Sequence, residues 1–175
     1  MPVFYTEADY ENSVIELFRN NLGYDYVYGP NIERDFYSPL YEDVLVESLY
    51  RLNRGVSDDA IKEALYKLKN FENGELVQKN SVFMEYLQNG IPVRYFVDGE
   101  ERSVIVYLAD YKNPYQNSFI VANQWTYIEN SNKRPDIILF LNGLPIVLIE
   151  LKSPSREETD VSEAYRQIRN YMHEI

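Results

Sequence analysis

A chain of 175 residues has the size of one domain, and its 17 Lys and Arg against 28 Asp and Glu give a formal charge of -11. With 45% hydrophobic and 26% charged residues the composition is that of a globular protein and excludes a disordered tail. The lack of cysteine excludes disulfides, thiolate zinc centres and cysteine nucleophiles; one histidine, His173, is too few for a His-rich metal site; and no apolar run approaches the roughly 20 residues that cross a bilayer.

The opening Met1-Pro2-Val3-Phe4-Tyr5 has neither the basic flank nor the long apolar core of a secretory signal. Residues 6–22 read as an amphipathic helix: Thr6 is the N-cap with Asp9 three residues on, Val14, Ile15, Phe18 and Leu22 repeat at helical spacing, and Gly23 closes it. Residues 43–52 and 58–71 predict two more helices, the second capped by Ser57 and striped by Ile61, Ala64, Leu65 and Leu68. A fourth, over 80–87, is stopped by Asn89-Gly90. The pattern then turns to strands. Residues 93–97 and 103–108 form a hairpin around Asp98-Gly99-Glu100-Glu101. Residues 113–117 are a loop, 119–122 and 124–128 one strand or two, and 136–141 and 146–151 two strands around 142–145. Pro154 ends that run, and 157–174 is a closing helix. Helices, a meander and a returning helix predict an α/β or α+β sandwich. The 175 residues are expected to form a single domain at the front of a longer polypeptide.

Charge is unevenly distributed. Residues 1–132 hold 11 basic and 21 acidic side chains, whereas 133–169 hold six of each. Phosphate contacts normally supply nucleic-acid affinity, so an isolated tight DNA binder is disfavoured. A catalytic module delivered to DNA by partners fits the balance.

The chemistry-bearing string runs from Arg134 to Lys152. Asp136 opens one very apolar strand; Glu150 and Lys152 close the next. A three-residue connection would set Asp136 directly opposite Glu150, about 5 Å between Cα atoms. A two- or four-residue connection would set it opposite 149 or 151, and a bulge would then be needed to reunite the carboxylates. Glu150 and Lys152 share a face in either case. Two facing carboxylates repel, and a hard divalent cation, Mg²⁺ or Mn²⁺, removes the conflict. With a lysine beside them to balance charge developing on a phosphate, these are the components of metal-assisted phosphodiester hydrolysis. The bland alternative is a solvated salt-bridge cluster at strand ends. Gln167 and Tyr171, four apart on the closing helix, are candidates to steady Lys152 or contact a DNA backbone, provided that face packs beside the strand ends. Glu7 and Glu11, four apart on the first helix, each offer a third carboxylate, and Glu11 is preferred because it lies deeper in the helix.

Pro135-Asp136 followed by Glu150-Leu151-Lys152 resembles the PD-(D/E)xK nuclease signature. The extended string through Ser153-Pro154, then Ala164, Gln167-Ile168-Arg169 and Tyr171, is similar to the N-terminal region of the restriction (R) subunit of type I restriction–modification enzymes. Upstream, Asn89-Gly90-Ile91-Pro92-Val93, Asn113-Pro114, Asn117-Ser118-Phe119, Asn123-Gln124, and Glu7 and Glu11 with Leu22-Gly23-Tyr24 agree, so the likeness covers nearly the whole chain. It implies a restriction-endonuclease-like fold, a mixed sheet flanked by helices with an N-terminal helical portion. It implies a cytoplasmic, Mg²⁺-dependent endonuclease that cuts double-stranded DNA, with no membrane partner. Asp136 and Glu150 would be metal ligands, Mn²⁺ substituting for Mg²⁺, and to them the reading of the residues adds Leu151 and, from the first helix, Glu11 in preference to Glu7. Lys152 would be the catalytic lysine, and Gln167 and Tyr171 the helical Gln-x-x-x-Tyr element. Methylation and specificity subunits would be partners. ATP would belong to downstream translocase domains, since no Gly-x-x-x-x-Gly-Lys-Ser/Thr string occurs here. Weak cutting and low metal affinity are expected of the isolated piece.

Three other readings compete. One is a docking module of the same fold with a degenerate site. Another is a glycosidase using Asp136 and Glu150 as its pair, against which the adjacent Lys152 counts. The third is a Ser-His-Asp hydrolase, disfavoured by a lone histidine two residues from the C-terminus.

Overall fold

The computed structural model describes residues 6–71, 74–97, 99–128, 132–152 and 161–174. The chain divides into two compact units, one made of residues 1–41 and 119–175, the other of 42–118.

The first unit carries the sheet on which the candidate residues sit. Its helix α1 (Glu7–Glu16) starts at Thr6 with a full capping box: the Asp9 amide donates to Thr6 Oγ1 at 3.2 Å and the Thr6 amide to Asp9 Oδ2 at 2.7 Å. The predicted helix over 6–22 widens into a π-helical turn at Leu17–Asn21 before Gly23, at φ +73, reverses the chain. Strand β1 (Asp25–Tyr28) follows, an element that its four residues are too short and too exposed to announce by alternation. It pairs parallel with β4 (Phe119–Asn123), next to which run β7 (Ile137–Leu141) and β8 (Leu144–Ile149), antiparallel in the order β1-β4-β7-β8. The result is an α/β fold with a mixed sheet. One face of that sheet meets α1: Ile15 packs with Val121, Ile137 and Leu139, and Val14, Phe18, Tyr24, Ile149 and Leu151 border them. β7 is buried at every position, which is why it reads as an unbroken apolar run rather than an alternating one.

The span from 119 to 128 is two strands. β4 ends at Asn123 and β5 (Tyr127–Ile128) pairs with β6 (Asn132–Lys133). The break is Gln124, whose φ of +54 lies in the left-handed region. Trp125 behind it is buried against Tyr41 and Phe140, with ring centroids 5.1 and 4.8 Å away. The Arg34 guanidinium lies over Trp125 at 3.8 Å and over Phe36 at 4.8 Å, and donates to the Thr126 carbonyl. Burial pushes its pKa down to about 10, still far enough above neutrality for it to remain a cation. The closing helix is α5 (Val161–Glu174); residues 157–160 of the helix expected over 157–174, and Pro154, lie outside the described residues.

In the second unit α2 (Glu42–Leu52) and α3 (Asp58–Lys69) bury Leu45, Leu49, Ile61, Ala64 and Leu68. Ser57 caps α3, accepting from the Ala60 amide at 3.3 Å. α4 (Leu76–Asn89) starts four residues earlier than its apolar spacing suggests, because Glu75 and Gln78 close a capping box there. β2 (Ile91–Val97) and β3 (Glu100–Val106) form a hairpin in which Val97 pairs with Glu100, so the connection is Asp98-Gly99, two residues rather than four. Asp98 itself lies outside the described residues.

Candidate active site

The β7–β8 hairpin turns on Asn142 and Gly143, at φ +51 and +81, the geometry of a two-residue turn with both central residues left-handed. Leu141 pairs with Leu144 and Phe140 with Pro145. Left regular, that register would set Asp136 opposite Ile149 and turn Glu150 away. The pairing shifts between Phe140 and Leu139, whose partner is Val147, so Ile146 is an extra residue in β8. Ile138 then meets Leu148 and Ile137 meets Ile149. Continued one residue, the register brings Asp136 opposite Glu150. β8 is an edge strand, where both a bulge and Pro145 are tolerated.

The bulge also decides the face. Ile137, Ile149 and Leu151 belong to the cluster against α1. By alternation Asp136, Glu150 and Lys152 lie on the other face. The Leu151 amide donates to Asp136 Oδ2 at 2.7 Å, a charge-assisted bond that fixes the aspartate against the end of β8. Both carboxylate oxygens of Glu150 are shielded from solvent. Lys152 Nζ donates to Gln167 Oε1 at 2.9 Å, which brings this part of α5 beside the end of β8. Tyr171 is one turn further along α5, and its side chain, like that of His173, lies outside the described residues.

Glu11 is placed differently. Its Oε1 accepts from Asn123 Nδ2 at 2.6 Å, and Gln124 Nε2 stands 3.5 Å from each of its oxygens. Among the described residues no three of His, Cys, Asp and Glu gather as a metal group. Glu7, the other first-helix candidate, stands in the first turn of α1. Leu151 offers a metal its backbone carbonyl only.

Two further polar residues, Asn123 and Gln124, lie beside the site. Asn123 is buried and accepts from Tyr26 Oη at 3.0 Å while donating to Glu11. Gln124 donates its amide to the Asp136 carbonyl at 3.4 Å. The signal in the sequence is the abrupt Asn-Gln after Phe-Ile-Val-Ala, a polar pair where a strand should still be apolar. A buried amide of this kind is costly unless it is hydrogen-bonded, and here it is.

The family model for the N terminus of the type I restriction enzyme R protein matches residues 4–175. The chain is 31% identical, over 97% of its length, to the type I restriction enzyme HindI endonuclease subunit of Haemophilus influenzae. It is 29% identical, over 94% of its length, to the provisionally named MjaIXP endonuclease subunit of a type I restriction enzyme from Methanocaldococcus jannaschii. In both cases it spans 17% of the relative's length. With the family model matching all but its first three residues, the chain belongs to the family of type I restriction enzyme R protein N-terminal regions.

Proposed function

We propose that this chain is the Mg²⁺-dependent endonuclease domain of a type I restriction enzyme R subunit, and that it hydrolyses phosphodiester bonds of double-stranded DNA. The observation that carries this reading is the bulge at Ile146, which pairs Ile137 with Ile149; by strand alternation that register supports a site with Asp136 opposite Glu150 and Lys152 on the same face. The donor set suits a hard divalent cation: two carboxylates and the Leu151 carbonyl, oxygen throughout, with no sulfur or imidazole. Asp136, Glu150 and Leu151 would hold Mg²⁺, or Mn²⁺ in its place. When bound, the ion supplies Lewis-acid polarisation of the scissile phosphate and lowers the pKa of an attacking water.

The remaining work belongs to side chains of this molecule. The Leu151 amide keeps the Asp136 carboxylate aimed along the strand end. Gln167 holds the Lys152 ammonium by one hydrogen bond, leaving its other donors for negative charge that develops on the phosphate. Double-stranded DNA is the substrate, and the methylation and specificity subunits hold it. That division of labour accounts for a nuclease domain with a charge of -11. ATP acts in domains outside this chain.

The test is Asp136→Ala, Glu150→Ala and Lys152→Ala, each made in the complete R subunit assembled with its partners. A nuclease loses DNA cutting and keeps ATP hydrolysis and assembly. Loss of assembly with each variant would identify a docking module instead, and undiminished cutting would remove the proposed site.

A further inference from the structure

Gln124 occupies a backbone conformation that glycine adopts freely and glutamine does not, at φ +54. A strained residue that keeps a long polar side chain is informative, because glycine would relieve the strain and lose only the amide. That amide stands 3.5 Å from both oxygens of Glu11, and the same residue's backbone N–H donates to the Asp136 carbonyl at 3.4 Å. Glu11 is itself pinned by Asn123 Nδ2 at 2.6 Å, and Asn123 by Tyr26 Oη at 3.0 Å. On the other flank Gly29 crosses so closely that a Cβ there would lie 2.8 Å from the Gln124 carbonyl oxygen and 2.9 Å from Trp125 Cα. One residue therefore links a helix on one side of the sheet to the aspartate on the other.

We infer that Gln124 is a positioning residue for Asp136, clamped through its side-chain amide by Glu11, so that Glu11 serves the site through Gln124 rather than as a ligand. This rests on the nuclease reading given above. The clamp fixes the backbone at the start of β7, and with it the direction in which Asp136 leaves the sheet. Hydrogen-bond acceptance is what Glu11 contributes, a task a neutral glutamine can share, whereas a metal ligand needs the carboxylate.

The experiment uses the complete R subunit in its assembled complex. It measures Mn²⁺ affinity by calorimetry and DNA cutting, with Asp136→Ala as the control. Gln124→Gly is expected to raise or preserve thermal stability while lowering Mn²⁺ affinity and cutting by about 10-fold or more, the usual scale for groups that orient a metal ligand. Glu11→Ala is expected to do the same, and Glu11→Gln to restore most of the loss. Unchanged Mn²⁺ affinity and cutting in Gln124→Gly overturns the inference. So does a Glu11→Gln variant as impaired as Glu11→Ala, which would make Glu11 a ligand. If Asp136→Ala also leaves both readouts unchanged, it is the nuclease reading that has failed.

Discussion

The Ile137–Ile149 pairing, continued by one residue, sets Asp136 opposite Glu150 because β8 holds one residue more than its partner strand between the turn and Val147. The two-residue turn at Asn142-Gly143 alone would have sent Glu150 and Lys152 to the face that packs on α1. There a carboxylate and an ammonium would displace Ile149 and Leu151 from an apolar cluster, and burying charge among apolar side chains is costly. Apolar packing on one face and the site on the other therefore favour the same register.

Insertions and deletions in β8 should act asymmetrically. Removing Ile146 straightens the strand and leaves Leu139 opposite Val147, so Mn²⁺ binding is expected to persist. Inserting one alanine between Leu148 and Ile149 turns Glu150 and Lys152 toward α1. Binding should then be lost, along with about 3 kcal/mol of stability or more from misplaced charge. Calorimetric Mn²⁺ titration and urea unfolding of the two variants check this; equal losses in both would contradict it.

The Lys152–Gln167 bond should matter to rate more than to folding. Gln167→Leu keeps the bulk on α5 and removes the acceptor, so the ammonium is left to wander. DNA cutting under single-turnover conditions is expected to fall about 10- to 100-fold, with Gln167→Glu far less affected because it still accepts. A Gln167→Leu enzyme with unchanged single-turnover cutting would show that Lys152 needs no orientation.

Gly29→Ala should damage the site from a distance. No side chain fits where a Cβ meets backbone atoms of 123–125 at 2.8–2.9 Å, so that segment must shift. The expected cost is about 1–3 kcal/mol in chemical denaturation, the usual scale of overpacking. Mn²⁺ affinity should fall with it, because the displaced segment carries Gln124 and its bond to the Asp136 carbonyl.

Acid should loosen the start of α1. Hydrogen bonds from the Thr6 backbone and then its side chain hold the Asp9 carboxyl below its ordinary value of 3.8. A depressed acid contributes stability that is complete above that ordinary value and disappears as the pH falls through the lowered folded value. Far-ultraviolet circular dichroism followed downward from pH 5 should show helical signal lost in that range. Asp9→Asn should flatten the dependence; an identical acid profile in that variant would remove Asp9 as its source.

The sequence alone determined the elements whose cause is local. The capping box at Thr6, the Ser57 cap, the helical stripe of α3 and the apolar run of β7 are written in neighbouring residues, and so is the Asp136, Glu150, Lys152 trio. β1 escaped that reading because a short exposed strand is defined by its partner β4, 95 positions away along the chain. What only the tertiary structure decided is which way the trio faces. A two-residue turn and a bulge offset each other, and neither can be read from a hairpin sequence that suits several registers. The choice is made by burial against α1, which rewards the pairing that puts Ile137, Ile149 and Leu151 inside. The position of Glu11 was decided in the same way: helical spacing gives its face of α1, but only the packed fold hands its carboxylate to Asn123 and Gln124.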